Sequence, residues 1–175
     1  MNPLLAEGLT NGDEIYKLQE WAAKYDSIVE VGSWKGRSTI ALCQACSGKV
    51  VAVDNFRGSK SSWDMTYNAD PQKVEDAFRE NTKDCANLEL MKMDSVEAAK
   101  HFKPRSVDMV FLDAAHEYDN FMPTLKAWLP IAKKFLCGHD LYFGDTKKVL
   151  DELGVKYRSV GFNYPLCLWY SEVSA

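Results

Sequence analysis

The chain has 175 residues, 46% of them apolar and with 8 Phe, 8 Tyr and 5 Trp, and 21 Lys+Arg against 25 Asp+Glu give a formal charge of −4. That is one domain's worth of length, far from the low-hydrophobicity, high-charge regime of disordered chains, so a single domain over residues 1–175 with a sizeable core is expected. Mild acidity without a dense Lys/Arg cluster argues against nucleic acid as a partner, since counterion release needs a basic face.

No apolar run approaches the roughly 18 residues of a membrane span, and residues 1–10 lack the basic-then-apolar order of a signal peptide. A cytoplasmic protein with no membrane partner is expected. Cys43, Cys46, Cys85, Cys137 and Cys167 are an odd number in apolar segments, which favours free thiols in a reducing compartment. Cys43 and Cys46 form a C-x-x-C late in a helical stretch, whereas a redox pair needs a helix N-terminus. Zinc would need two further ligands, and no second C-x-x-C or His pair supplies them.

In chain order the periodicity alternates between helix and strand, the pattern of a doubly wound α/β sheet. A helix over 11–25 places Ile15, Leu18, Ala22 and Tyr25 on one face, and 27–32 (SIVEVG) reads as a short buried strand. A helix over 36–45 and a β-branched strand over 49–54 (KVVAVD) follow. Residues 55–70 are polar and aperiodic, a long connection of the kind that is commonly functional or mobile. Pro71 opens a helix to about residue 85, before a strand over 88–93 and a short helix over 95–102. The most continuous apolar run, 107–113 (VDMVFLD), is expected to be the central fourth strand, buried on both faces. A helix over 120–131, a strand over 135–140 and a helix over 146–153 come next. Strands over 155–160 and 166–171 have only a short link and are expected to pair antiparallel.

Ligands of open α/β sheets bind beyond the carboxyl ends of the strands. Here those ends carry Glu30 and Gly32, then Asp54, Asp94, Asp113 and Asp140. Helix capping would account for one such carboxylate but not for five together. In the first loop, Gly32 and Gly36 enclose three residues, whereas a phosphate-binding loop needs four and then Lys. Trp34 stands where a dinucleotide fingerprint needs its middle glycine.

Glu30-Val31-Gly32-Ser33-Trp34-Lys35-Gly36 resembles instead the first motif of the class I S-adenosylmethionine-dependent methyltransferases. The resemblance covers about residues 26–171 and implies a Rossmann-like seven-stranded sheet of order 3-2-1-4-5-7-6 with the last strand antiparallel. It also implies that Gly32, Ser33, Trp34, Gly36 and Ser38 lie along the methionyl part of the cofactor. Asp54 and Asn55 would hold the ribose, Asp94 and Ser95 would border the adenine, and Glu30 and Asp113 would complete the cofactor site. Within that superfamily the chain is similar to small O-methyltransferase-like domains, through Gly32-Ser33-Trp34-Lys35-Gly36-Arg37-Ser38-Thr39, Asp113-Ala114-Ala115-His116-Glu117-Tyr118 and Gly138-His139-Asp140. It departs from them at Ile131-Ala132-Lys133-Lys134-Phe135, which replaces their L-x-P-G-G turn.

Metal-assisted relatives use acidic residues at the places of Asp113 and Asp140, which implies Mg²⁺ with His139 as a further ligand. His116 or His139 could then accept the acceptor's proton, with His116 and Asp113 the expected catalytic residues. Arg57, Lys60, Trp63 and Tyr67 offer cationic and aromatic contacts to an acceptor. The expected function is methyl transfer from S-adenosylmethionine to an oxygen of a small molecule. The alternatives are a binding or regulatory domain of the same fold and, against the loop spacing, a nucleotide hydrolase. The identity of the acceptor and any homo-oligomer are not legible in the sequence.

Overall fold

A computed structural model describes residues 1–58, 66–163 and 166–173. Its strands are β1 (Ser27–Val31), β2 (Lys49–Val53), β3 (Leu88–Met91), β4 (Val107–Leu112), β5 (Ala132–Gly138), β6 (Arg158–Asn163) and β7 (Leu166–Glu172). Its helices are α1 (Gly12–Ala22), α2 (Arg37–Ala45), α3 (Pro71–Thr82), α4 (Ser95–Ala99), α5 (Tyr118–Trp128) and α6 (Thr146–Glu152), after one 3-10 turn over Pro3–Leu5. The strands form one sheet in the order β3-β2-β1-β4-β5-β7-β6, as expected. β1 to β5 run parallel, and β7 is antiparallel to β5 and β6.

Strand alternation sorts the core onto two faces. Ile28, Val50, Met109, Phe111 and Phe135 pack with Leu18 and Trp21 of α1 and Leu42 of α2. Val29, Val31, Val110, Leu112 and Leu136 pack with Phe121, Leu125 and Trp128 of α5 and with α6. β4 is buried at all six positions, as a strand with helices on both faces must be.

Helix starts follow their caps. Asn11 and Glu14 form a capping box on α1, Asp70 accepts from the amides of Gln72 and Lys73 ahead of Pro71, and Asp94 accepts from those of Val96 and Glu97.

Two strands start three residues away from expectation, and β3 ends at Met91, not 93. β5 begins at Ala132, not 135, because Ala132 pairs with Val107 across a register shift before Met109. The segment that replaces the relatives' turn is therefore strand. β6 begins at Arg158, not 155, because α6 ends in a Schellman motif: left-handed Gly154 (φ 65°) donates to Asp151 and Val155 to Leu150. Val155 completes a helix end and is unavailable to the sheet.

All five cysteines are free, and among the described residues no helix is long and apolar enough to cross a membrane.

Candidate active site

At the carboxyl ends of β1 to β5 the chain leaves the sheet through loops that line a cavity of about 630 Å³. Small-molecule sites span roughly 300–1,000 Å³. The first loop is left-handed at Gly32 (φ 91°), Trp34 (46°) and Gly36 (89°). A Cβ on Gly32 would stand 2.2 Å from the Asp113 carbonyl oxygen, so glycine is required there by the crossing of the β1 and β4 loops. Gly32, Ser33, Trp34 and Ser38 line the cavity. Gly36 does not, and the expectation for it changes: it starts α2 against Phe78 and Thr82, where a Cβ would meet Thr82 Cγ2 at 2.8 Å.

Glu30 is a second correction. Alternation along β1 puts it on the face of Ile28, under α2, where its buried carboxylate accepts from the Thr39 hydroxyl. It sits behind the cavity wall and holds the loop from below. Burial, opposed by hydroxyl hydrogen bonds, pushes its carboxyl up to about 7.

Asp54 does line the cavity, with Asn55 and Arg57. Its Oδ2 accepts from the amides of Ser33 and Trp34, each at 2.8 Å, and its Oδ1 from that of Phe56 at 2.7 Å. Burial raises its carboxyl despite those bonds. Oδ2 already accepts two bonds, but Oδ1 accepts only one and keeps a lone pair, so one carboxylate shapes the loop and can still receive a ligand hydroxyl. Asp94 and Ser95 line the far end, Ser95 within 2.9 Å of Thr124 Oγ1. Tyr67 is exposed and away from the cavity wall, contrary to expectation. Lys60 and Trp63 lie outside the described residues.

At the other end of the cavity stand Asp113, His116 and Asp140. Asp140 takes a left-handed conformation (φ 56°) after β5. Its Oδ2 is 2.9 Å from His116 Nε2 and its Oδ1 3.0 Å from His139 Nδ1, which is also 3.7 Å from Asp113 Oδ1. His139 is buried behind the wall, and its Nε2 lies 3.2 Å from Glu14 Oε2 of α1.

These groups set one another's protonation. Burial would raise Asp140, but the two imidazoles beside it, His116 at 2.9 Å and His139 at 3.0 Å, hold it well below the ordinary range. Burial would lower His116 and His139, and it is overcome by the Asp140 hydrogen bond for the first and by Asp113, Asp140 and Glu14 for the second. Asp113, raised by burial and by Asp140 against the pull of His139, reaches about 6. Ligand atoms of Asp113, His139 and Asp140 all lie within 4.8 Å of one another.

The sequence reading missed two contributors. Residues 7–10 form part of the wall, strapped down by Arg37, which donates from Nε to the Ala6 carbonyl at 2.7 Å and from Nη1 to that of Thr10 at 2.9 Å. Glu7 pairs with Lys35 at 2.6 Å. Glu14 is the other. Its sequence signal, the Asn11-x-x-Glu14 spacing of a capping box, accounts for a helix start and gives no hint of a histidine 125 residues away.

A family model described as a methyltransferase domain matches residues 29–140. No curated protein matches the chain. Among solved structures, the chain is similar to an O-methyltransferase from Bacillus cereus in complex with SAH, at 16% identity and TM-score 0.69 over 98% of this chain and 86% of that one. Cofactor-bound Rv0187 from MTB is similar at 15% and 0.71 with the same coverage. A SAM-dependent O-methyltransferase from Thermotoga maritima is similar at 11% and 0.67 over 95% of this chain and 66% of that one. At such identities the likeness establishes the fold.

Proposed function

We infer that this chain, which belongs to the methyltransferase-domain family, transfers a methyl group from S-adenosylmethionine to an oxygen of a small molecule. The observation that carries the reading is one cavity with a cofactor-shaped end, built by the Gly32 loop and Asp54, and a proton-accepting end, built by His116 and Asp140. Asp54 and Asn55 suit ribose hydroxyls, and Asp94 and Ser95 with Met93 and Val96 suit the adenine edge and face.

The chemistry is an in-line displacement in which the bond from sulfur to methyl breaks as the bond from oxygen to methyl forms, so alignment supplies much of the rate. The hydroxyl proton of the acceptor goes to His116. With Nε2–H directed at Asp140, its buried Nδ1 has no hydrogen-bond partner among the described residues and carries the lone pair. The tautomer follows from this bonding pattern. Arg57 on the wall offers a cationic contact to the acceptor.

A second reading rests on the clustering of Asp113, His139 and Asp140. Those three residues fit a divalent cation such as Mg²⁺, which when bound would acidify the acceptor hydroxyl. Under it, Mg²⁺ raises the melting temperature of the wild type and Asp140→Asn abolishes the rise. An unchanged melting curve removes the metal.

Calorimetry with S-adenosylmethionine, its demethylated product, ATP and NAD tests the cofactor, and turnover on a panel of hydroxylated acceptors tests the reaction. The first two ligands are expected to bind and the others not. Failure of S-adenosylmethionine to bind overturns the reading, and binding without turnover on any acceptor leaves a binding domain.

A further inference from the structure

Glu14 is 1% exposed, which its place in a capping box does not explain. The box needs a carboxylate at the start of α1, where Glu14 Oε2 accepts from the Asn11 amide at 3.0 Å, and solvent-exposed carboxylates do this routinely. Burying a carboxylate is costly unless it is paired. Its second oxygen, Oε1, is buried with no hydrogen-bond partner among the described residues. What draws the side chain inward is His139, 3.2 Å from Oε2.

From there a continuous line of side chains reaches the reacting end of the cavity. His139 Nδ1 lies 3.0 Å from Asp140 Oδ1, and Asp140 Oδ2 lies 2.9 Å from His116 Nε2. Both ring nitrogens of His139 face carboxylates, so the ring is fixed in plane and rotation. Asp113, 3.7 Å from the same Nδ1, is the other charge facing it. The ring stands beside Oδ1 of Asp140 as a close charge neighbour at 3.0 Å, without a hydrogen bond to that oxygen among the described residues.

We propose that Glu14 is a positioning residue of the site, acting through His139 and Asp140 to hold the His116 imidazole against the acceptor. The proposal rests on the reading of His116 as proton acceptor. It makes α1, which lies outside the family match, part of the working site, and it gives the His139 contact a role other than holding the helix down.

The test separates the relay from the helix cap and from the reaction. The chain has three histidines, so the ring ¹⁵N resonances of His116 and His139 are separately assignable by NMR. Glu14→Ala is expected to move both and to lower the single-turnover rate about 10- to 100-fold, as loss of an outer-shell partner does, with S-adenosylmethionine affinity unchanged. Asn11→Ala, which loses the cap but keeps the His139 contact, is expected to lower the melting temperature without moving the His116 resonances or the rate. Glu14→Gln keeps both contacts in neutral form. It is expected to recover most of the rate while moving the resonances by less, and it carries the NMR test if the alanine variant does not fold. In a His139→Ala background Glu14→Ala is expected to cost nothing further. Unmoved His116 resonances in the Glu14 variants overturn the relay whatever the reaction, as does an Asn11→Ala rate loss equal to that of Glu14→Ala. Moved resonances in a protein that methylates no acceptor uphold the relay and overturn the reaction.

Discussion

Two carboxylates near the cavity, Glu30 and Asp54, show how far a residue's work depends on which way its side chain points. Asp54, one position beyond β2, turns into the cavity and gathers three loop amides. Glu30, inside β1, lies under α2 and accepts from the Thr39 hydroxyl. Because the folded protein raises the Glu30 carboxyl from 4.5 to about 7, it binds a proton more tightly than the unfolded chain does. Its stability contribution is therefore complete below pH 4.5 and falls as pH rises to about 7. Melting curves from pH 4 to 8.5 are expected to show Glu30→Gln gaining on the wild type across that window and holding its advantage above it. His116→Ala is expected to lower turnover by about 10²- to 10⁴-fold, the usual worth of a general base, with cofactor affinity intact by calorimetry. Gly32→Ala is expected to unfold the chain at ordinary temperature, since the added Cβ meets the Asp113 backbone. Retention of a native circular dichroism spectrum and melting temperature would show that this backbone can move.

At the scale of elements, the cavity is built where loops from distant segments cross. The strap over residues 6–10 has no secondary structure of its own to hold it over the cavity. Two bonds from Arg37 of α2 and the Glu7–Lys35 pair do so. An exposed ion pair is worth about 0–1 kcal/mol, so the Arg37 bonds to two carbonyls dominate. Arg37→Ala is expected to raise amide exchange selectively over residues 6–10 while leaving β1 and β4 protected. Gly8→Ala, whose Cβ would stand 2.9 Å from Arg37 Cβ, is expected to do the same to a smaller degree. Equal exchange in variant and wild type would mean that other contacts hold the strap. Among the strands, β6 and β5 show why boundaries shift: Val155 reads as strand by its β-branched side chain, but the Schellman bond to Leu150 takes its amide first.

Across the whole molecule, what was legible in the sequence is what short-range physics controls. Period-two and helical patterning specified seven strands and six helices, because alternation and the helical repeat act within a few residues. Pro71 as a first helical residue is local in the same way. The carboxylates at the strand ends were legible because parallel strands all finish at one edge, and that placed Asp54, Asp94, Asp113 and Asp140 around one cavity. The sequence could not indicate which side of its strand each site residue would serve, so Glu30 was read as wall and is a support. Nor could it indicate partners without local pattern. Arg37 meets Thr10 across 27 residues and Ala6 across 31, and Glu14 meets His139 across 125. Only the tertiary structure brings such pairs together, because the sheet order sets α1 against the end of β5, and burial there makes each charged group dependent on the one it meets.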